Sequence, residues 1–143
     1  MVCRQILVPT VCCLITVVPA IARNASSQPA RQPVPRAQGF FGVHFDLHPN
    51  PGDKALGADV SEEMVRKFLT RVKPDFVQYD CKGHIGYLGY PDSKVGPSAP
   101  HIVNDSLAIW RKVTREQGVA LVIHFSGLFD ITAIAKHPDY AAV

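Results

Sequence analysis

Three short stretches of the chain hold side chains of catalytic or ligand-binding type at alternate positions. His44, Asp46 and His48 form the first, Asp80, Lys82 and His84 the second, and His124, Ser126 and, slightly later, Asp130 the third. On an extended chain alternate side chains share one face about 7 Å apart. Two members of His44-x-Asp46-x-His48 could therefore share a metal ion, with His124 as a further ligand and metal-bound water as nucleophile. That reading makes His44, Asp46, His48 and His124 the metal set of a metal-dependent hydrolase. The leading reading needs no metal and no cofactor: the imidazoles and Lys82 grip the hydroxyl groups of a polar ligand. Asp46 and Asp80 are the candidate catalytic carboxylates, since glycosidic cleavage uses a pair about 5–5.5 Å apart for retention or about 6.5–9.5 Å apart for inversion. Their other role is to orient neighbouring His and Lys. Lys82 is expected to pair with Asp80 or Asp46, because an unpaired inward ammonium is costly. Tyr87 and Tyr90 can stack on a sugar ring, whereas Trp110 reads as core. His101 and His137, each beside a proline, read as surface residues.

Three strand-helix units are expected to position these groups. Phe41, Val43, Phe45 and Leu47 alternate with the first cluster, a period of two that indicates a strand. Pro49, Pro51 and Gly52 end it. Ser61 can cap a helix with Glu62 and Glu63 in its first turn and Val65, Phe68, Leu69 and Val72 on one face. Pro74 closes that helix. A second strand is expected over 75–82, followed by a long loop from Gly83 to Pro100. Asn104 or Asp105 then caps a second helix that buries Leu107, Trp110 and Val113, with Gly118 just past its end. Residues 119–125 are almost continuously apolar, the pattern of a parallel strand covered on both faces. Strands alternating with helices imply parallel pairing through crossover connections. The glycines of Gly83-His84-Ile85-Gly86-Tyr87-Leu88-Gly89 do not follow the G-x-G-x-x-G spacing of dinucleotide-binding folds. Each strand ends in polar residues at its carboxyl end, which favours a partial (β/α)8 barrel of about three βα units.

At 143 residues the chain has room for one small domain, while a complete barrel typically needs about 250. The expectation is therefore an amino-terminal piece of a larger barrel, ending at a truncation point. Its formal charge of +3 owes much to Arg4, Arg23, Arg31 and Arg36, which precede residue 40 with no acid among them. The remainder is close to neutral, which argues against a nucleic-acid surface. Residues 1–22 carry Arg4, an apolar run from Ile6 to Val18 and Ala20-Ile21-Ala22, the pattern of a cleaved secretory signal. Its apolar run is too short and too interrupted for a membrane span. A secreted or periplasmic protein follows, with no membrane attachment after cleavage. Cys3, Cys12 and Cys13 would leave with the signal, so Cys81 would be a single thiol without a disulfide partner. Residues 23–39 are rich in Pro, Ser and Gln and read as an extended linker. The barrel piece spans 40–143, and Asn24-Ala25-Ser26 and Asn104-Asp105-Ser106 are glycosylation sequons.

Lys82-Gly83-His84-Ile85-Gly86-Tyr87, followed by Pro91-Asp92-Ser93-Lys94, resembles glycoside hydrolase family 29, the α-L-fucosidases, and more closely the glycosyl-hydrolase-like barrels related to them. In that family the second strand ends in Lys-His-His-Asp-Gly-aromatic. Lys82, His84, Gly86 and Tyr87 match it; Gly83 and Ile85 depart. Phe41-Gly42 is similar to the family's first strand, without its His-Trp-Gly ending, and Val122-Ile123-His124-Phe125-Ser126 is similar in placement to its third. The resemblance runs from about Phe40 to Asp139. It implies a secreted carbohydrate-active hydrolase with a sugar partner, and it makes His84 the sugar-contacting position carried over. With the residue readings above, the expected substrate contacts are His44, His48, Lys82, His84, Tyr87 and His124. The family's nucleophilic aspartate lies on a fourth strand, which this chain does not reach, so the resemblance implies a piece that is inactive by itself. A non-catalytic carbohydrate-binding domain is the remaining alternative.

Overall fold

The structure is a computed structural model and describes residues 32–142. The expected signal segment, the first part of the linker and the Asn24 sequon lie outside the described residues. The elements are β1 (Gly42–Phe45), α1 (Glu62–Val72), β2 (Phe76–Lys82), α2 (Ser106–Gln117), β3 (Ala120–Phe125) and α3 (Ile131–Lys136), with 3-10 turns at Arg36–Gln38 and Pro138–Tyr140. β1 is shorter than its alternating pattern suggests, so Asp46 and His48 lie past its end. The close of the linker stretch is not simply extended. Its 3-10 turn sets the Arg36 guanidinium 4.0 Å above the Phe76 ring, and the Asp75 carboxylate accepts from the backbone N–H groups of Phe40 and Phe41.

Local chemistry sets the helix ends. The Ser61 hydroxyl accepts from the Met64 N–H at 3.1 Å, with Glu62 and Glu63 in the favourable first turn of α1. Lys73, in the left-handed conformation at φ 53°, ends α1 immediately before buried Pro74. Of the two cap candidates for α2, Asp105 is the one used: its carboxylate accepts from Ala108 N–H at 2.9 Å. Gly118 at φ 62° closes that helix, the left-handed position glycine occupies without a Cβ penalty.

The sheet is parallel in the order β1-β2-β3. Val77, Tyr79 and Cys81 on one face of β2 join Val65 and Leu69 of α1 and Trp110 and Val113 of α2 in a single buried core. Trp110 also meets Phe45 of β1 and Phe68 of α1, with ring centroids 4.8 and 5.7 Å away. Both helices therefore cover the same face of the sheet. Above the core, Arg66 with Glu116 and Lys112 with Glu62 pair between the helices at the surface. The alternate residues of β2, Gln78 and Asp80, must face the other way, because β-strand side chains alternate between faces.

Two features depart from the sequence expectation. Among the described residues β3 is an edge strand rather than one covered on both faces, and Ile123 and Phe125 are each 45% exposed. The β2–β3 register also slips between Asp80 and Lys82, so Asp80 stands opposite His124 and Lys82 opposite Phe125. A bulge of this kind breaks the period of two and turns the following side chain away from the line of its predecessors.

Candidate functional site

The carboxyl ends of the three strands bring most of the expected groups together. Asp80, 2% exposed, lies at the centre. Its Oδ1 is 2.8 Å from His44 Nε2 and 2.9 Å from His124 Nδ1. The two contacts differ: His44 makes a hydrogen bond, while His124 Nδ1, although buried, sits at ion-pair distance without hydrogen-bond alignment. Register explains the meeting, since Asp80 pairs directly with His124 across β2 and β3 and His44 lies one strand over on β1. The carboxylate hydrogen-bonds one imidazole and lies close to the other. With its accessible surface removed and Oδ1 turned to two rings, it is poorly placed to flank a glycosidic bond.

Asp46 and His48 form a second pair, Oδ1 to Nε2 at 2.7 Å. That hydrogen bond is the chief reason the Asp46 carboxyl is held below the ordinary carboxylate range. Asp46 is 72% exposed, so water screens the pairing strongly. The His48 ring meets the His84 ring edge-on at 4.4 Å. This approach depends on a glycine: a Cβ on Gly83 would stand 2.9 Å from the Cα of His48. A cavity of about 300 Å³ opens beside Asp46, His48 and Asp80 and runs back toward Tyr79 and Ser106. Burial pushes the Tyr79 phenol up at its inner end.

Lys82 does not join these groups, contrary to the expectation that it pairs with Asp80 or Asp46. It is buried, its Nζ lying 2.7 Å from Asp130 Oδ2 and donating to the Ser126 carbonyl at 2.6 Å. The bulge is the physical reason, since it aims Lys82 at the segment after β3. Asp130 also caps α3, its Oδ1 accepting from Ala133 N–H at 2.8 Å and from the Thr132 hydroxyl at 2.9 Å. Burial raises the Asp130 pKa, but the bonds from Lys82, Ala133 and Thr132 outweigh that effect and leave it below its ordinary value. The loop after β2 is tied to the same segment, with Ile131 N–H donating to the His84 carbonyl and Thr132 N–H to that of Ile85. Gly86, at φ 103°, permits the crossing, for a Cβ there would fall 2.2 Å from both Asp130 Oδ1 and Thr132 Oγ1.

His84 remains exposed, with its Nδ1 3.0 Å from Ser126 Oγ and its ring 5.2 Å from that of Phe129. Tyr87 is half-buried in the loop and makes no ring contact with the histidines among the described residues; Tyr90 packs against the core instead of standing free. Trp110 is core and His101 is exposed, as expected. For a metal ion, the structure groups His44, Asp46 and Asp80, whose ligand atoms lie within 4.8 Å of one another. The set of His44, Asp46, His48 and His124 is not the one assembled, because Asp80 takes the central position. Sequence reasoning also missed Phe129, an exposed aromatic beside His84. It carries no periodic signal.

No protein-family model matches the chain, and no curated protein matches it. Among solved structures, α-L-fucosidase isoenzyme 2 from Paenibacillus thiaminolyticus is similar in fold, with a TM-score of 0.64 and 23% sequence identity over 71% of this chain. The chain spans 15% of the length of that protein. The shared feature is the α/β arrangement with its small parallel sheet.

Proposed function

We propose that residues 40–143 form the first three βα units of a (β/α)8 barrel and supply part of the carbohydrate-binding rim of a secreted or periplasmic glycoside hydrolase of the α-L-fucosidase type. One observation carries the reading: His44, His48, Asp80, His84 and His124 gather at the carboxyl ends of consecutive parallel strands. Barrel enzymes place their ligands at that end. Consecutive strand order with both helices on one face is the winding of a barrel, whereas a doubly wound sheet reverses direction and puts helices on both faces. The fold likeness to an α-L-fucosidase and the Lys82 to Tyr87 motif agree with this reading.

In this function the chain's residues bind and orient. Asp80 holds His44 and His124, Asp46 holds His48, and the imidazoles meet sugar hydroxyls. Lys82 keeps the rim rigid through Asp130 without touching the sugar. The carboxylates that break the bond then come from strands beyond β3. Titration of the chain with L-fucose, followed by ¹H–¹⁵N NMR, tests the reading. Shifts at His44, His48, His84 and His124 are expected, and a silent spectrum at millimolar sugar refutes it.

A second reading, a metal-dependent hydrolase, is favoured by the proximity of His44, Asp46 and Asp80 donors. Stoichiometric zinc or manganese in the parent enzyme, with activity lost to a chelator, selects it over the glycosidase.

A further inference from the structure

Ser126 is almost fully buried and fixed on every side. Its N–H donates to the Lys82 carbonyl at 3.2 Å, its carbonyl accepts from Lys82 Nζ, and its hydroxyl has two partners. Those partners are the Phe129 carbonyl at 3.2 Å and His84 Nδ1 at 3.0 Å. A serine hydroxyl has one proton to give. A backbone carbonyl can only accept, so the bond to Phe129 consumes that proton. The remaining bond then runs the other way, with His84 donating from Nδ1–H to a lone pair of Ser126 Oγ. In a neutral imidazole one nitrogen donates and the other accepts. The Nε2 of this exposed residue, which has no hydrogen-bond partner among the described residues, is left as an acceptor.

We propose that Ser126 is a positioning residue that locks His84 in the Nδ1–H tautomer and so fixes its outward nitrogen as a hydrogen-bond acceptor. The consequence is a polarity of recognition. A neutral His84 takes a group that can donate, such as a sugar hydroxyl, and offers nothing to a carboxylate, sulfate or carbonyl oxygen at the same point. The lock is built from Ser126 and Phe129, in the segment between β3 and α3. Lys82, Asp130 and the backbone bonds from Ile131 and Thr132 hold that segment against the loop carrying His84. A side chain forty-two residues away in the sequence thereby sets the chemistry of an exposed ring. The ligand consequence rests on the carbohydrate reading proposed above; the tautomer does not.

Long-range ¹H–¹⁵N correlation spectra of the imidazoles in the full chain, in mildly alkaline solution, provide the test. Wild-type protein is expected to show His84 with a protonated Nδ1 and a bare Nε2. Ser126→Ala should remove that preference, and Ser126→Thr should keep it. L-Fucose should shift the Nε2 resonance in the wild type and do so at least several-fold more weakly in Ser126→Ala. A wild-type His84 protonated on Nε2 overturns the lock without any variant having to fold. An unchanged Nδ1–H preference in folded Ser126→Ala overturns Ser126 as its cause. If the tautomer is as stated and no saccharide moves the resonance, the lock stands and the carbohydrate reading fails.

Discussion

Replacing Asp130 separates two jobs done by one carboxylate. Oδ2 faces the buried Lys82 ammonium at 2.7 Å, and Oδ1 caps α3 through Ala133 N–H. Removing one partner of a buried ion pair costs about 3–5 kcal/mol, because the other charge is left without compensation. Asp130 keeps 23% of its side-chain surface in water, so the lower end, about 3 kcal/mol, is appropriate. Losing the cap adds about 1 kcal/mol. Asp130→Ala should therefore lose about 4 kcal/mol of unfolding free energy, and Asp130→Ser, which restores a capping oxygen but no charge, about 3. Adding Lys82→Met to the serine variant should recover part of the loss, since an apolar side chain needs no counter-ion. Recovery stays incomplete, because the Ser126 carbonyl loses its donor at about 1 kcal/mol or more. The Asp130 carboxyl is held below its ordinary value in the folded chain. Its contribution is thus complete above the unfolded-state pKa of about 3.9 and disappears as pH falls through the lower folded value. Urea unfolding across pH measures all of this. Wild type and Asp130→Ser should converge in strong acid. If both single variants stay within about 0.5 kcal/mol of wild type at neutral pH, the range of an ordinary surface change, the buried pair is not what holds this segment.

Asp80→Asn keeps the shape but weakens the charge-assisted bond to His44 and the contact with His124, and should cost about 1–3 kcal/mol in urea unfolding while broadening both imidazole signals in NMR; unchanged spectra contradict the orienting role. His48→Gln should raise the Asp46 carboxyl toward its ordinary value, measured by ¹³C titration. In the wild type its midpoint should lie below that value, so the Asp46–His48 contact fades as pH falls through it. Gly42→Ala places a Cβ only 2.0 Å from the Phe76 ring and should destabilise by about 1–3 kcal/mol; Phe76→Leu in the same chain should relieve most of that loss.

The elements were legible in the sequence because their signals are local. Ser61 with Glu62 and Glu63, Asp105 and Gly118 mark helix ends through bonds and dihedral angles set within a few residues. The period of two around His44 and the apolar run ending at Phe125 announce strands in the same way. The meeting of His44, Asp80 and His124 was legible only in part: each residue shows as a polar group at a strand end, but that two rings share one oxygen of Asp80 depends on register. The role of Lys82 was not legible. A bulge between Asp80 and Lys82 has no signature in alternation, and it decides that the ammonium meets Asp130 rather than the acids named from spacing. Gly83 and Gly86, which depart from or match a motif when read as letters, prove to be points where one loop passes close over another.

The uneven covering of the sheet bears on the barrel reading as strongly as the polar rim does. Tyr79 on β2 and Ile123 on β3 stand opposite one another in register. The first is 5% exposed and the second 45%, so the helix layer that seals the middle strand thins out over its neighbour. Large apolar side chains continue to be exposed past the end of that strand, at Leu128, Phe129 and Ile131. Parallel strands normally occur with both faces covered, and the proposed barrel would supply that cover here. In a barrel, each strand is sealed by the helices on either side of it, and a further βα unit beside β3 would cover this flank. The same unit would occupy the edge of β3 that is unpaired among the described residues. One added element, as the proposed barrel requires, would thus account both for the exposed apolar flank and for the edge of β3 that no described strand pairs with.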